Sequence, residues 1–79
     1  MPLHICLVER GVLPVNAYGG TERVVWYLAR ELSRDGHRVT LLAGRGSQCD
    51  FARVLPLNPD LPLTPQLPTD CDIIHFHFP

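Results

Sequence analysis

The apolar residues of this chain fall into runs whose period changes along its length. Leu3 to Val8 is apolar at nearly every position except His4. Continuous rather than alternating apolarity marks a parallel strand buried on both faces. From Thr21 the spacing becomes helical. Thr21, Val24, Val25, Leu28 and Leu32, with Ala29 beside them, share one face, and Arg23, Arg30, Glu31 and Arg34 lie largely on the other. Gly20 or Thr21 can cap this helix, and Glu22 sets a carboxylate in its first turn, where the helix dipole favours one. Asp35-Gly36 ends it, glycine being suited to the left-handed residue just past a helix. A second apolar strand, Arg38 to Ala43, follows at once. Strand, glycine-bearing loop, helix, strand is the βαβ unit of a doubly wound parallel sheet.

Beyond Ala43 the pattern loosens. Gly44-Arg45-Gly46-Ser47 reads as a turn, and a short third strand is expected around Ala52-Arg53-Val54-Leu55. Pro56, Pro59, Pro62, Pro65 and Pro68 then recur at every third position. Three residues is the turn of polyproline II, so the spacing predicts an extended segment with its rings on one side. Proline at this density removes too many donors for a helix. The preferred reading is a stiff surface connection whose intervening leucines touch the body of the domain, rather than a ligand for a proline-reading partner. Asp72 to Phe78 predicts a fourth strand, with Ile73, His75 and His77 on one face and Ile74, Phe76 and Phe78 on the other. The fold class is therefore α/β, a partial Rossmann-like doubly wound parallel sheet of about four strands with one clear helix. The loop from Glu9 to Tyr18 exceeds the two to six residues usual between a strand and a helix, as expected of a loop that touches a ligand.

Composition bounds what this sheet can do. A chain of 79 residues buries only about 60% of the surface its unfolded form exposes. Residues 1–79 are thus expected to form an incomplete N-terminal domain of a longer protein. The net charge is −1, with seven arginines and no lysine, so no basic stripe exists to neutralise the phosphates of a nucleic acid. Without lysine there is no P-loop either. The opening apolar run lacks a basic leader and a cleavage site and is cut short by Glu9 and Arg10, which excludes a signal peptide and a transmembrane segment. Cys6, Cys49 and Cys71 show no C-x-x-C spacing and read as reduced, mostly buried thiols of a cytoplasmic protein.

Two places carry candidate chemistry. Gly19-Gly20 opens the helix, where free N–H groups and the dipole receive a phosphate and glycine permits its close approach. The dinucleotide fingerprint G-x-G-x-x-G is absent, and no acidic residue ends the second strand. His75 and His77 lie near the carboxyl end of the fourth strand, the end at which open parallel sheets bind ligands. His77, further out, is the better partner for a substrate hydroxyl, and His75 is expected to be a satisfied buried histidine. The pair lacks a third ligand at recognisable spacing, so no metal is assigned. Arg45 could hold the 2′-phosphate of NADP but reads better as a turn arginine, and Cys49 has no identifiable base.

Taken together, Tyr18-Gly19-Gly20-Thr21-Glu22-Arg23-Val24-Val25, Leu32, Gly36-His37-Arg38-Val39-Thr40-Leu41-Leu42-Ala43 and Asp72-Ile73-Ile74-His75-Phe76-His77 resemble the N-terminal, acceptor-side domain of family 4 glycosyltransferases. That resemblance implies a GT-B enzyme with two Rossmann-like domains across a cleft, the C-terminal donor-binding domain lying outside this chain. It implies transfer of a sugar from a nucleotide-diphosphate sugar to an acceptor hydroxyl with retention, without a metal or other cofactor. Gly19 and Gly20 would approach the donor diphosphate, and His77 would face the transferred sugar as the catalytic histidine. Asn16 and Glu22 are further acceptor contacts to test, against plain roles as a turn residue and a helix-end charge. Peripheral membrane contact stays open for the full protein, and this chain alone is expected to be inactive. The rival readings are a non-catalytic Rossmann-like fragment or binding module and, behind it, an NADP-dependent oxidoreductase using Arg45.

Overall fold

The computed structural model describes residues 2–10 and 20–77, the first three residues of the helix by their backbone alone. Its elements are β1 (His4–Val8), α1 (Gly20–Arg34), β2 (Arg38–Gly44), β3 (Arg53–Leu57), a single 3-10 turn (Thr64–Gln66) and β4 (Ile73–Phe76). The strands form one sheet in the order β3-β2-β1-β4. All three pairings are parallel. This is the partial Rossmann-like α/β fold that the pattern predicts.

Every residue of β1 is buried, because β1 has strands on both sides and cover on both faces. Ile5 and Leu7 join Val39, Leu41 and Ala43 of β2 under Val25 and Ala29 of α1. On the opposite face Cys6 and Val8 meet Leu42 and Leu57, covered by Leu63, Leu67 and Cys71. A fully buried leucine such as Leu7 contributes about 2–5 kcal/mol by comparison with alanine. Val24, expected on the buried helical face, is 58% exposed. The buried stripe is centred on Val25 and Ala29, and Val24 falls at its margin.

Helix α1 ends as its sequence dictates. Gly36 has φ +91°, the left-handed conformation that costs glycine nothing. The His37 N–H donates to Leu32 O at 3.1 Å and the Gly36 N–H to Ser33 O at 3.1 Å, the paired bonds of a Schellman cap. His37 then accepts the Leu3 N–H on Nδ1 at 3.0 Å, so the Gly-His pair ties the helix end to the start of β1.

Strand β3 runs through Pro56 to Leu57, two residues beyond expectation. It is an edge strand, where a missing N–H breaks no ladder. The proline segment departs further from expectation, since it folds back instead of extending and contains one turn of 3-10 helix with Pro65 in its opening turn. The Gln66 side chain is the reason. Its amide accepts the Asn58 N–H at 2.7 Å and donates to the carbonyls of Asn58 at 2.9 Å and Pro62 at 3.0 Å. One side chain thus gathers backbone groups that the prolines cannot serve. Leu63 and Leu67 touch the core as the surface-connection reading requires, whereas Leu61 is 57% exposed.

Candidate functional site

A β1–α1–β2 crossover on one side of β1 and β4 on its other side make the gap between β1 and β4 a topological switch point. Ligands of open parallel sheets bind outside the carboxyl ends of the strands at such a point. The groups present there follow from the register. Val8 pairs with Phe76, and continuing one residue sets Glu9 beside His77. Both backbones remain extended: Glu9 N–H donates to Leu42 O at 2.9 Å and His77 N–H to Val8 O at 3.0 Å. Because parity is conserved, both side chains emerge on the α1 face. The N-terminus of α1, beginning at Gly20, lies at the same edge, since the helix must run back before β2 can start beside β1.

His77 is half-buried, and its ring lies 4.0 Å from that of His75, centroid to centroid. Its Nε2 is buried and has no hydrogen-bond partner among the described residues. Such an atom is costly to leave unmade, and it is the feature expected of a group awaiting a ligand. Burial first, and the neighbouring His75 second, hold the His77 imidazole below its ordinary pKa, while the Glu9 carboxylate opposes them. Glu9 itself is only 4% exposed. The sequence reading took it merely as the charge that ends β1. An acid placed directly after the first strand of a doubly wound sheet was the signal that could have found it.

His75 corrects an expectation. Instead of a satisfied buried histidine it is exposed, as are all four residues of β4, because β4 is the edge of the described sheet. The satisfied buried histidine is His4, at the amino end of the strands. Its Nδ1 stands 3.1 Å from Asp70 O, which can only accept, so Nδ1 carries the proton. Nε2 then accepts from Thr40 Oγ1 at 2.7 Å. Its backbone N–H donates to Asp72 Oδ2 at 2.8 Å.

The other nominated residues are distributed as follows. Gly20 is the first residue of α1. Glu22 lies in the first turn of that helix, and its side chain is outside the described residues, as are Asn16 and Gly19. Arg45 follows β2 and lines a hollow of about 410 Å³ with Pro56, Leu57, Asn58, Pro59 and Asp60. A second hollow of about 250 Å³ joins Arg10 to Leu57, Asn58 and Pro59. Both lie along the carboxyl edge. A hollow of about 430 Å³ beside Trp26, Gln48, Cys49 and Asp50 is away from the strand ends, and burial raises the Cys49 thiol, making it a poor nucleophile. The Cys6 thiol is pushed up to about 12, foremost by burial and then by Cys71. All three cysteines are free. Among the described residues no group of three or more His, Cys, Asp or Glu is placed to hold a metal ion, and no helix is long and apolar enough to cross a membrane.

A parallel α/β sheet with a ligand edge at its switch point defines the class. The family model described as Glycosyltransferase Family 4 matches residues 18–79, and the chain belongs to that family. No curated protein matches the chain, and no solved structure does.

Proposed function

We propose that this chain is the N-terminal domain of a retaining, GT-B glycosyltransferase that takes its sugar from a nucleotide-diphosphate donor. The observation that carries the reading is His77: an imidazole whose buried Nε2 has no partner among the described residues, at the switch point of a family 4 glycosyltransferase domain. In this reading His77 is the catalytic histidine and hydrogen-bonds a hydroxyl of the transferred sugar. Gly19 and Gly20 lead the chain into the α1 N-terminus, whose free N–H groups suit a diphosphate. Asn16 and Glu22 lie on the acceptor side. An acceptor oxygen bonds to the anomeric carbon as the bond from that carbon to the diphosphate breaks. The hydroxyl proton passes to the departing nucleoside diphosphate, so no metal or further cofactor enters the step. A second domain across the cleft would hold the donor and exclude water, without which donor and acceptor are not oriented. Three free cysteines suit a cytoplasmic setting.

The test is to incubate the intact protein with a panel of nucleotide-diphosphate sugars and hydroxyl acceptors, following nucleoside diphosphate release and the anomeric configuration of the product by NMR. Transfer with retention that collapses in His77→Ala supports the reading. Inversion, or full turnover in His77→Ala, overturns it.

A further inference from the structure

Glu9 is the one buried carboxylate among the described residues, and the catalysis outlined above assigns it no task. A carboxylate is seldom fully buried without a reason, because its charged form loses solvation. Its position sets it beside His77. It leaves β1 one residue past the Val8–Phe76 pair, on the same face as His77 and on the adjacent strand. Among the described residues, the titratable groups acting on His77 are His75 from its own strand and Glu9 from the end of β1.

We propose that Glu9 is the positioning residue of the site: a buried carboxylate on the neighbouring strand whose charge favours a proton on the His77 ring where a sugar hydroxyl is to be hydrogen-bonded. This deepens the transferase reading and rests on it for its biological meaning, though not for its physical content. Burial and the His75 ring both disfavour a proton on His77, and the Glu9 charge counters them. A carboxylate behind a histidine serves the same purpose in hydrolytic triads, where it stabilises the imidazolium that forms. Glu9 needs no contact with substrate for this. It acts through the ring.

The experiment is an NMR titration of the four histidines in the intact protein, with His77 assigned by its loss in His77→Gln. Glu9→Gln keeps the shape and removes the charge. His77 should then titrate at lower pH than in the parent, a modest case of losing a nearby opposite charge. The limb of the pH–rate profile that follows His77 should move to lower pH with it. Glu9→Met is the second variant, because an apolar residue of similar volume removes the charge and the burial cost of the carboxylate together. His75→Gln should move His77 the opposite way. A folded Glu9→Gln or Glu9→Met protein in which His77 titrates as before overturns the proposal and leaves the transferase reading standing. A His77 shift in a protein whose turnover survives His77→Ala does the reverse: it upholds the coupling and removes the catalytic role.

Discussion

The two ends of this sheet each hold a histidine, and their surroundings are opposite. At the amino edge His4 is 4% exposed and both ring nitrogens are occupied, by Asp70 O and Thr40 Oγ1. At the carboxyl edge His77 keeps a buried Nε2 with no partner among the described residues. The first arrangement stabilises, since a buried polar group that is satisfied fixes the elements it joins. The second costs stability, and such a cost persists where a ligand makes use of it. The difference separates a satisfied histidine from one whose ring is left open, and on the proposed function it is the open one that meets the sugar.

Mutation at each end should therefore fail differently. The largest effect is expected from His77→Ala, which should lower turnover of the intact protein by about 100-fold, the low end for losing a positioned proton-sharing group. Its urea midpoint should barely move, and steady-state kinetics beside urea unfolding give both readings. His4→Ala should show the converse. It strands the Thr40 hydroxyl and the Asp70 carbonyl and opens a void, for a loss of about 3 kcal/mol seen in unfolding, with kinetics unaltered in whatever fraction remains folded. If the two variants behaved alike, the contrast between the edges would collapse.

Smaller effects sharpen it. Gly36→Ala adds a side chain to a residue at φ +91° with open space around it, so only backbone strain opposes it. The loss should be about 1–2 kcal/mol, a stability change at the amino edge again without a kinetic one. The smallest effect is pH dependence. The folded His77 pKa lies below its ordinary value. The stability linked to this group is therefore complete above the unfolded pKa near 6.5 and is lost as pH falls through the folded value. Thermal midpoints measured from pH 7.5 downwards should decline less in His77→Gln than in the parent.

Most of the sheet was legible because its signals are backbone-local. The apolar runs of β1 and β2, the 3.6-residue stripe of α1 and the stop at Gly36 each reflect a period or a conformation that residue type alone dictates. What escaped depends on groups distant in sequence. The Gln66 clasp is a side chain meeting carbonyls up to eight residues away, and proline spacing says nothing of it. Val24 lay on the margin of a face whose centre only packing defines. That His4 and not His75 is the satisfied buried histidine follows from strand order, since β1 is central and β4 an edge of the described sheet. The burial of Glu9 escapes for the same reason. Its neighbour His77 lies on a strand that sequence order puts last and the sheet puts alongside.

That strand order also governs how the chain assembles. The backbone and side chain of His4 reach partners 66 and 68 residues away, and Leu3 reaches His37 over 34. Among the described strands β1 is the one whose second neighbour, Ile73–Phe76, is most distant in sequence. Before β3 and β4 join, a β1–α1–β2 nucleus carries two open edges and an uncovered apolar face, a state that pairs readily with other chains. Loop-closure entropy delays such distant pairings, so the sheet closes more slowly than its helix forms.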